Sequence, residues 1–360
     1  MSLTESGRLG HVRTVWDQWG WTAKLAISIA LFWAVVKNAD ASLTQFHIAE
    51  PGYIVLATIV FLVQPIVNIP RWSIVLQMLG YRIPIGKLAR YFYIGSFFNQ
   101  VLPASVSGDI LRVFYLNRHA VAWRHSISSV LLDRLVALGG LVILYVACFN
   151  LASPRVVGHP DAETLYYLFI TGILLGALAL ALLYLSTSLW IDLLRKLHWR
   201  SATQIAEMLR MFLRSAEVLG SNLWQSIVIL GGLGVTVHLI ESFGLWLVVQ
   251  SFGYSVPFFD IAAIAALMII VQSLPISFGG WGAREMAAVV LLQRVGIQAG
   301  DAFFISVILG LMFLIAAVPG TVFWLLMRRE RPDRQPMRTA QGGEPEPSAQ
   351  PAEGEVSPSR

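Results

Sequence analysis

Apolar runs separated by short charged loops organise most of this chain. A run of about 20 apolar residues is long enough to cross a bilayer as a helix. Runs close to that length, with few charges, occupy residues 21–37, 53–77, 126–148, 164–190, 224–250 and 301–327. The pattern predicts an all-α polytopic membrane protein with about six transmembrane helices.

Two further apolar stretches, residues 86–103 and 258–275, each end on a Leu-Pro step. Gly residues and a shorter, more polar segment follow each of them, and Pro and Gly interrupt a helix. Irregular backbone at membrane depth is tolerated where protein or water covers it. We predict two re-entrant helical hairpins here. The alternative is that each hairpin is a pair of ordinary tilted helices.

Both stretches belong to a pattern that the chain repeats. GYRIP at 80–84 recurs as GYSVP at 253–257, and LPASVSGDILR at 102–112 recurs as LPISFGGWGAR at 274–284. Helix breaks in corresponding places of two halves point to the substrate site of a transporter. We place the helix breaks at the two prolines of these motifs. The residues that recur at matching offsets are Leu102/Leu274, Pro103/Pro275, Ser105/Ser277, Gly108/Gly280 and Arg112/Arg284.

The distribution of loop charges predicts the orientation. Lys and Arg concentrate in alternate loops, and such loops face the cytoplasm. These basic loops all fall on one side of the membrane if the chain starts inside and the Leu-Pro stretches do not cross it. Three full crossings then separate the two copies, so the repeat halves, about 21–150 and 164–330, form an inverted repeat. We expect a bacterial cytoplasmic (inner) membrane protein with both termini in the cytoplasm.

The segments outside the spans have simpler interpretations. Residues 1–20 are a cytoplasmic N-terminus, and 21–330 form one membrane domain. The first run is interpreted as a retained anchor rather than a cleaved signal peptide. Residues 196–222 form a basic amphipathic helix that links the halves at the membrane surface. Residues 331–360 are rich in Pro, Glu, Ser and Gly and predict a disordered tail.

Composition supports a membrane protein and excludes a nucleic-acid binder. Apolar residues make up 56% of the chain and charged residues 13%, about half the charged share of soluble domains. The net charge of +5 lies in short loops between apolar runs, so no nucleic-acid partner is expected. The single cysteine, Cys148, cannot form an intramolecular disulfide.

Charged residues at membrane depth are the candidates for function, because they are costly there. Arg112 and Arg284 stand nine residues after the proline of each break. An arginine can hold a phosphate through two hydrogen bonds, and Gly-rich breaks and helix N-termini offer backbone N–H groups to anions. We predict that a phosphate-bearing lipid headgroup binds at Arg112, Arg284, Asp109, Ser105, Ser277, Gly108 and Gly280.

The remaining charged residues predict a network inside the membrane. Its members are Arg71, Asp133, Arg134, His238, Glu241 and Glu285. His238 and Glu241 lie three residues apart on one helix face, which suits a proton relay; the alternative is that His238 is a satisfied buried histidine. The alternative for the arginines is structural pairing: Asp109 with Arg112, Asp133 with Arg134 or a neighbour, and Arg284 with Glu285.

Four segments of the chain resemble a known family. They are RWSIVLQMLGYRIP, GSFFNQVLPASVSGDILR, SSVLLDRLVAL and LPISFGGWGARE. Together they resemble the lysylphosphatidylglycerol synthase transmembrane-region family over roughly residues 15–330. The resemblance implies a flippase-like domain that moves a lipid or a lipid-linked sugar between leaflets. The usual Gly-Gly-Asp of the family is Ser107-Gly108-Asp109 here. No aminoacyl-transferase domain follows residue 330, so lipid aminoacylation is not expected.

The expected function is therefore transport of a phospholipid, hopanoid or lipid-linked glycan, without catalysis. The sequence has no Walker loop, HExxH motif or paired cysteines, so no cofactor, metal or ATP site is expected. The expected partners are a membrane lipid and enzymes of lipid biosynthesis. The alternatives are a membrane glycosyl- or phosphotransferase, with Asp109 and Asp133 on Mg²⁺, and a non-transporting scaffold.

The topology can be tested with single cysteines in a Cys148→Ala background. Cysteines that replace Asp40, Asp161 or Gln298 are expected to react with an impermeant reagent in intact cells. Cysteines that replace Arg82, Arg200 or Arg334 are expected to react only after permeabilisation. Labelling of both Leu-Pro loops from one aqueous side would contradict the inverted repeat.

Overall fold

The computed structural model describes most of the membrane domain. The described residues are 28–31, 33–34, 36–37, 48–102, 106–119, 121–158, 163–164, 166–176, 178, 182, 224, 226, 228–273, 277 and 279–327. These ranges are helical and contain no β-strand. The prediction of an all-α protein is therefore confirmed for them. The N-terminus 1–20, the predicted amphipathic helix 196–222 and the tail 331–360 lie outside the described residues.

The first half begins with two helices that run into each other. Each starts with a proline, whose fixed φ suits the first position of a helix. The chain then turns at Gly80, where φ is +86°, a conformation that favours glycine. The helices of this half are α1 (Pro51–Val63), α2 (Pro65–Met78), α3 (Ile85–Val101), α4 (Ser107–Arg118) and α5 (Trp123–Leu151).

The second half repeats this order of elements. A π-helical segment, Val228–Gly234, leads into the first helix, and the chain turns at Gly253 with φ of +84°. Gly80 and Gly253 are the glycines of the repeated GYRIP and GYSVP motifs, so the repeat extends to the backbone. The helices are α6 (Val235–Ser251), α7 (Phe258–Ser273), α8 (Ala283–Leu292), α9 (Ala299–Ala317) and α10 (Pro319–Met327).

Four helices of the described ranges are long and apolar enough to cross a membrane. They are Pro51–Met78, Trp123–Leu151, Gly231–Ser251 and Ala299–Met327, and each matches a predicted span. The other two predicted spans, 21–37 and 164–190, are described only in part, and the second contains the apolar helix Tyr166–Gly176. The total of six spans therefore stays a prediction.

The lengths of the helices after the breaks favour hairpins. α4 has 12 residues and α8 has 10. At 1.5 Å per residue these helices are about 18 and 15 Å long, whereas the hydrocarbon layer is about 30 Å thick. Neither can return across the membrane alone, as a re-entrant arm requires.

The two halves are packed together by exchanged contacts. α3 packs against α10 of the other half, and α7 packs against α5. α1 and α6, which open the two halves, pack against each other. These contacts correspond in the way that a two-fold relation between the halves requires. The direction of that axis, and with it the inversion, stays a prediction.

Glycine permits the closest helix contacts. Gly108 of α4 lies against Gly95 of α3, so that a Cβ atom on Gly108 would lie 1.8 Å from the Gly95 carbonyl oxygen. Gly140 of α5 meets Gly234 in the same way, at 2.3 Å from the Gly234 carbonyl carbon. Small residues at such crossings let membrane helices approach backbone to backbone. Each of these two contacts therefore requires glycine, because a side chain at Gly108 or Gly140 would keep the backbones apart.

Replacement of Gly108 by Ala is expected to separate α3 from α4. Overpacking of a tight contact costs about 1–3 kcal/mol. The melting temperature in detergent is expected to fall, whereas Gly86→Ala, a site with no neighbour within 4 Å, is expected to leave it unchanged. Equal melting temperatures for Gly108→Ala and the wild-type protein would show that the two backbones are not in contact.

Candidate functional site

Five charged side chains form a continuous chain of ion pairs at membrane depth. Asp133 bonds two arginines, with Oδ1 2.9 Å from Arg71 Nε and Oδ2 2.9 Å from Arg112 Nη2. Arg112 Nη1 lies 3.3 Å from Asp109 Oδ1. Arg134 Nε donates to Asp109 Oδ2 over 2.9 Å, and its Nη2 donates to Oδ1 over 3.2 Å. Cations and anions therefore alternate along the chain, which we call the ion-pair chain.

Three helices supply the ion-pair chain. Arg71 follows Pro70 inside α2, Asp109 and Arg112 lie one turn apart at the start of α4, and Asp133 and Arg134 are neighbours in α5. α4 begins directly after the first break, so the break places Asp109 beside the long helix α5.

An aromatic ring supports the central arginine. The Arg112 guanidinium carbon lies 4.0 Å from the centre of the Trp72 ring and 5.5 Å from that of Phe92. Such rings attract a cation through their electron-rich faces. Arg112 is thus held by two carboxylates and two rings, and its side chain is 5% exposed.

The ion-pair chain carries one positive charge in excess, because three guanidinium groups face two carboxylates. Its end is open: the Arg134 side chain is 52% exposed, whereas that of Arg71 is 5% exposed. Arg71 Nη1 and Arg112 Nε are buried without a hydrogen-bond partner. An unbalanced charge at membrane depth is unfavourable, so this arrangement favours an anion.

The pairing differs in part from the sequence prediction. The expected Asp109–Arg112 pair is confirmed. The expected pairing of Asp133 with Arg134 or a neighbour is confirmed in its second form, because Asp133 bonds to Arg71 and Arg112 while Arg134 bonds to Asp109.

A second polar group lies between α5 and α6. His238 Nδ1 is 2.8 Å from Glu241 Oε2, and His238 Nε2 is 3.0 Å from the carbonyl oxygen of Ala137. Gln64, at the junction of α1 and α2, donates to Glu241 Oε1 over 2.5 Å. The predicted contact of His238 with Glu241 is confirmed. Gln64 was not predicted, although a Gln-Pro step inside an apolar run is a visible signal.

The second break holds a closed, neutral pair. Arg284 donates to Glu285 Oε1 through Nε at 3.0 Å and through Nη2 at 2.5 Å, and both side chains are 0% exposed. Glu285 Oε2 accepts the backbone N–H of Gly282, which caps α8. The Trp281 ring lies 4.4 Å from the Arg284 guanidinium carbon. The alternative pairing of Arg284 with Glu285 is therefore confirmed.

The two breaks lie against each other. A Cβ atom on Gly279 would lie 3.2 Å from the backbone oxygen of Gln100 at the end of α3. One on Gly280 would lie 2.7 Å from the side chain of Gln272. Gln100 and Gln272 occupy equivalent positions two residues before each Leu-Pro step, and the repeat could have revealed them. Ser277 Oγ is buried there without a hydrogen-bond partner.

One expectation about the first break is wrong, and others fall outside the described residues. The N–H of Gly108 is not free for an anion, because it donates to Asn99 Oδ1 over 2.8 Å. Asn99 sits in the last turn of α3, where its side chain reaches the start of α4. Pro103, Ser105 and Pro275 lie outside the described residues.

Comparison with known proteins agrees with the motifs. A sequence profile described as lysylphosphatidylglycerol synthase TM region matches residues 21–321. The chain belongs to this family. It is also similar to the UPF0104 membrane protein MJ1595 of Methanocaldococcus jannaschii, with 21% identity over 325 residues, or 86% of this chain and 95% of that protein. No solved structure matches the chain.

Family membership and the apolar helices together establish a multi-pass membrane protein. The inner-membrane location and the cytoplasmic termini stay predictions. Within the described residues there is no group of three or more His, Cys, Asp or Glu side chains that could hold a metal ion. Asp109 and Asp133 each face two arginines, an environment that disfavours Mg²⁺.

The buried ion pair of Arg284 and Glu285 can be tested with the variant Glu285→Gln. The amide keeps an acceptor for Gly282 but leaves the buried Arg284 charge unbalanced, which costs about 3–5 kcal/mol. The melting temperature is expected to fall, and the double variant Arg284→Met/Glu285→Gln is expected to recover most of the loss. Glu50→Gln, at an exposed residue, serves as the control. An unchanged melting temperature for Glu285→Gln would contradict a buried ion pair.

Proposed function

We propose that this protein moves a lipid with an anionic headgroup between the two leaflets, and that the headgroup contacts Arg134. The observation that carries the proposal is the excess positive charge of the ion-pair chain, which ends in a half-exposed arginine. A phosphodiester carries one negative charge and would balance it. A guanidinium can bind phosphate oxygens through more than one hydrogen bond.

The position of Arg134 along its helix supports this role. Arg134 is the twelfth of the 29 residues of α5, so it lies about 17 Å from the start of a helix about 43 Å long. A polar headgroup meets its highest barrier in the middle of the bilayer. A cation exposed at that depth lowers the barrier for an anion.

Arg112 and Arg284, which the repeat predicted to bind the headgroup, are both buried beside carboxylates. Arg112 is 4% exposed between two carboxylates, and Arg284 is 0% exposed beside Glu285. A headgroup would have to displace one of these partners to reach either guanidinium. Arg134 has its bonds to Asp109 on one side and an open surface on the other. We therefore assign the direct contact to Arg134 and a supporting role to Arg112.

The anionic headgroup narrows the expected substrates. A phospholipid or a phosphate-linked glycan carries the required charge, whereas an uncharged hopanoid does not. The transferase alternative needs a carboxylate that is free to bind a metal or to accept a proton. Asp109 and Asp133 are both engaged with arginines, and no observation favours that alternative.

Transport can be tested with purified protein in liposomes that contain fluorescent phosphatidylglycerol. Loss of one charged partner costs about 2–5 kcal/mol, so Arg134→Gln is expected to reduce the transport rate at least about thirtyfold. Arg134→Lys is expected to retain part of the activity, because lysine keeps the charge but lacks the planar guanidinium that donates two hydrogen bonds to one phosphate. Arg134→Gln is expected to fold, because Asp109 keeps its bond to Arg112.

The matched control is Arg82→Gln, at an exposed arginine in the turn before α3. It is expected to transport at the wild-type rate. Fluorescent phosphatidylcholine, whose headgroup has no net charge, is expected to cross more slowly than phosphatidylglycerol. Equal rates for Arg134→Gln and Arg82→Gln would contradict the assigned contact, and absence of transport in the wild-type protein would contradict the function.

A further inference from the structure

The contacts of His238 fix the number of protons that it shares with Glu241. A carbonyl oxygen only accepts, so the contact with Ala137 at 3.0 Å requires a hydrogen on His238 Nε2. The contact of His238 Nδ1 with Glu241 Oε2 at 2.8 Å requires one proton between the two atoms, because two lone pairs would repel. The pair therefore shares one proton at this contact and is neutral as a whole.

This pair is electrically connected to the ion-pair chain. Glu241 is one of the carboxylates whose charge acts on the Arg134 guanidinium. The bond of His238 to the Ala137 carbonyl places the pair against α5 within one turn of Arg134, because Ala137 follows Arg134 by three residues. The state of the proton on the pair decides how much of the charge of Glu241 is available to Arg134.

We propose that His238 and Glu241 form a proton-binding site that couples proton uptake to the binding of an anion at Arg134. This inference rests on the proposed function. With the proton bound, the pair is neutral and the excess charge of the ion-pair chain attracts the headgroup. When the proton leaves to water, Glu241 remains ionised beside a neutral His238 and balances Arg134 itself. The anion and Glu241 therefore compete for one cation, and the proton decides between them.

Other titratable groups on the neighbouring helices are occupied elsewhere. α6 packs against α1, α2, α5, α7 and α9. The charge of Glu241 acts on Arg134 of α5. The others have different surroundings: Arg71 is bonded to Asp133, Asp260 to Ser153, Asp301 to Tyr254 and His125 to Tyr81, while Tyr145 and Cys148 lie among apolar side chains.

The coupling predicts a direction of pH dependence. The complex with the anion holds more protons than the free protein, so raising the pH weakens binding. Uptake of one proton per bound anion corresponds to a tenfold loss of affinity per pH unit at most. A suitable probe is dihexanoyl phosphatidylglycerol, whose phosphodiester does not titrate near neutral pH. Binding is measured by calorimetry on the purified full chain between about pH 5.5 and 8.5, the range in which histidine titrates.

Two variants are expected to change binding in opposite directions. Glu241→Gln removes the competing carboxylate, so the affinity is expected to stay at the wild-type low-pH value throughout. His238→Gln leaves Glu241 ionised, so the affinity is expected to stay at the weak high-pH value. A purely structural role of the pair would weaken binding in both variants. His125→Gln is the control, because this histidine is paired with Tyr81 outside the cluster, and it is expected to keep the wild-type slope.

Proton uptake is measured directly by repeating the titration in two buffers with different ionisation heats. We expect up to one proton taken up per bound lipid in the wild-type protein and none in either variant of the pair. Binding that is independent of pH, without proton uptake, would overturn the coupling and leave the proposed function intact. Absence of wild-type binding at every pH would overturn the proposed function and the coupling together.

Discussion

The double ion pair of Asp133 is the interaction on which the rest of the site depends. Its two carboxylate oxygens bind arginines from α2 and α4, while Asp133 itself belongs to α5. The side chain is 2% exposed, so an unpaired charge there would be strongly unfavourable. This one carboxylate therefore holds the short helix α4 against two long ones. The placement of Asp109, and through it of Arg134, follows from that attachment.

The arginine of the Leu-Pro motif has different partners in the two halves. In the first half, α5 presents Asp133 and Arg134 to α4, and the charges extend from one helix to the next. In the second half, α9 presents Ser306 and Gly310 to Arg284, and neither carries a charge. Arg284 consequently takes its carboxylate from the adjacent residue. A repeated sequence thus gives one open, positively charged site and one closed, neutral site.

Apolar run lengths were enough to predict four spans, and the Leu-Pro motifs predicted where helices end. The cost of burying charge was enough to identify the polar residues that matter, including His238 and Glu241. The partner of each charge was harder to predict, because it depends on how far each helix is rotated about its axis. Asp133 and Arg134 are neighbours in the sequence yet bond to different residues, Asp133 to two arginines and Arg134 to Asp109. Asn99 and Gln64 were missed because uncharged amides stand out less than charges do.

The exchange of contacts between the halves has a mechanical consequence. α3 is tied to α10 through Gly320, where a Cβ atom would lie 2.1 Å from the backbone oxygen of Tyr93, and α7 is packed on α5. Each packed unit of this protein is therefore assembled from both halves of the chain. Neither half can move as a separate block, because each hairpin packs against a helix of the other half. During synthesis, α3 is made before α10, so the face of α3 that α10 covers stays exposed until α10 follows.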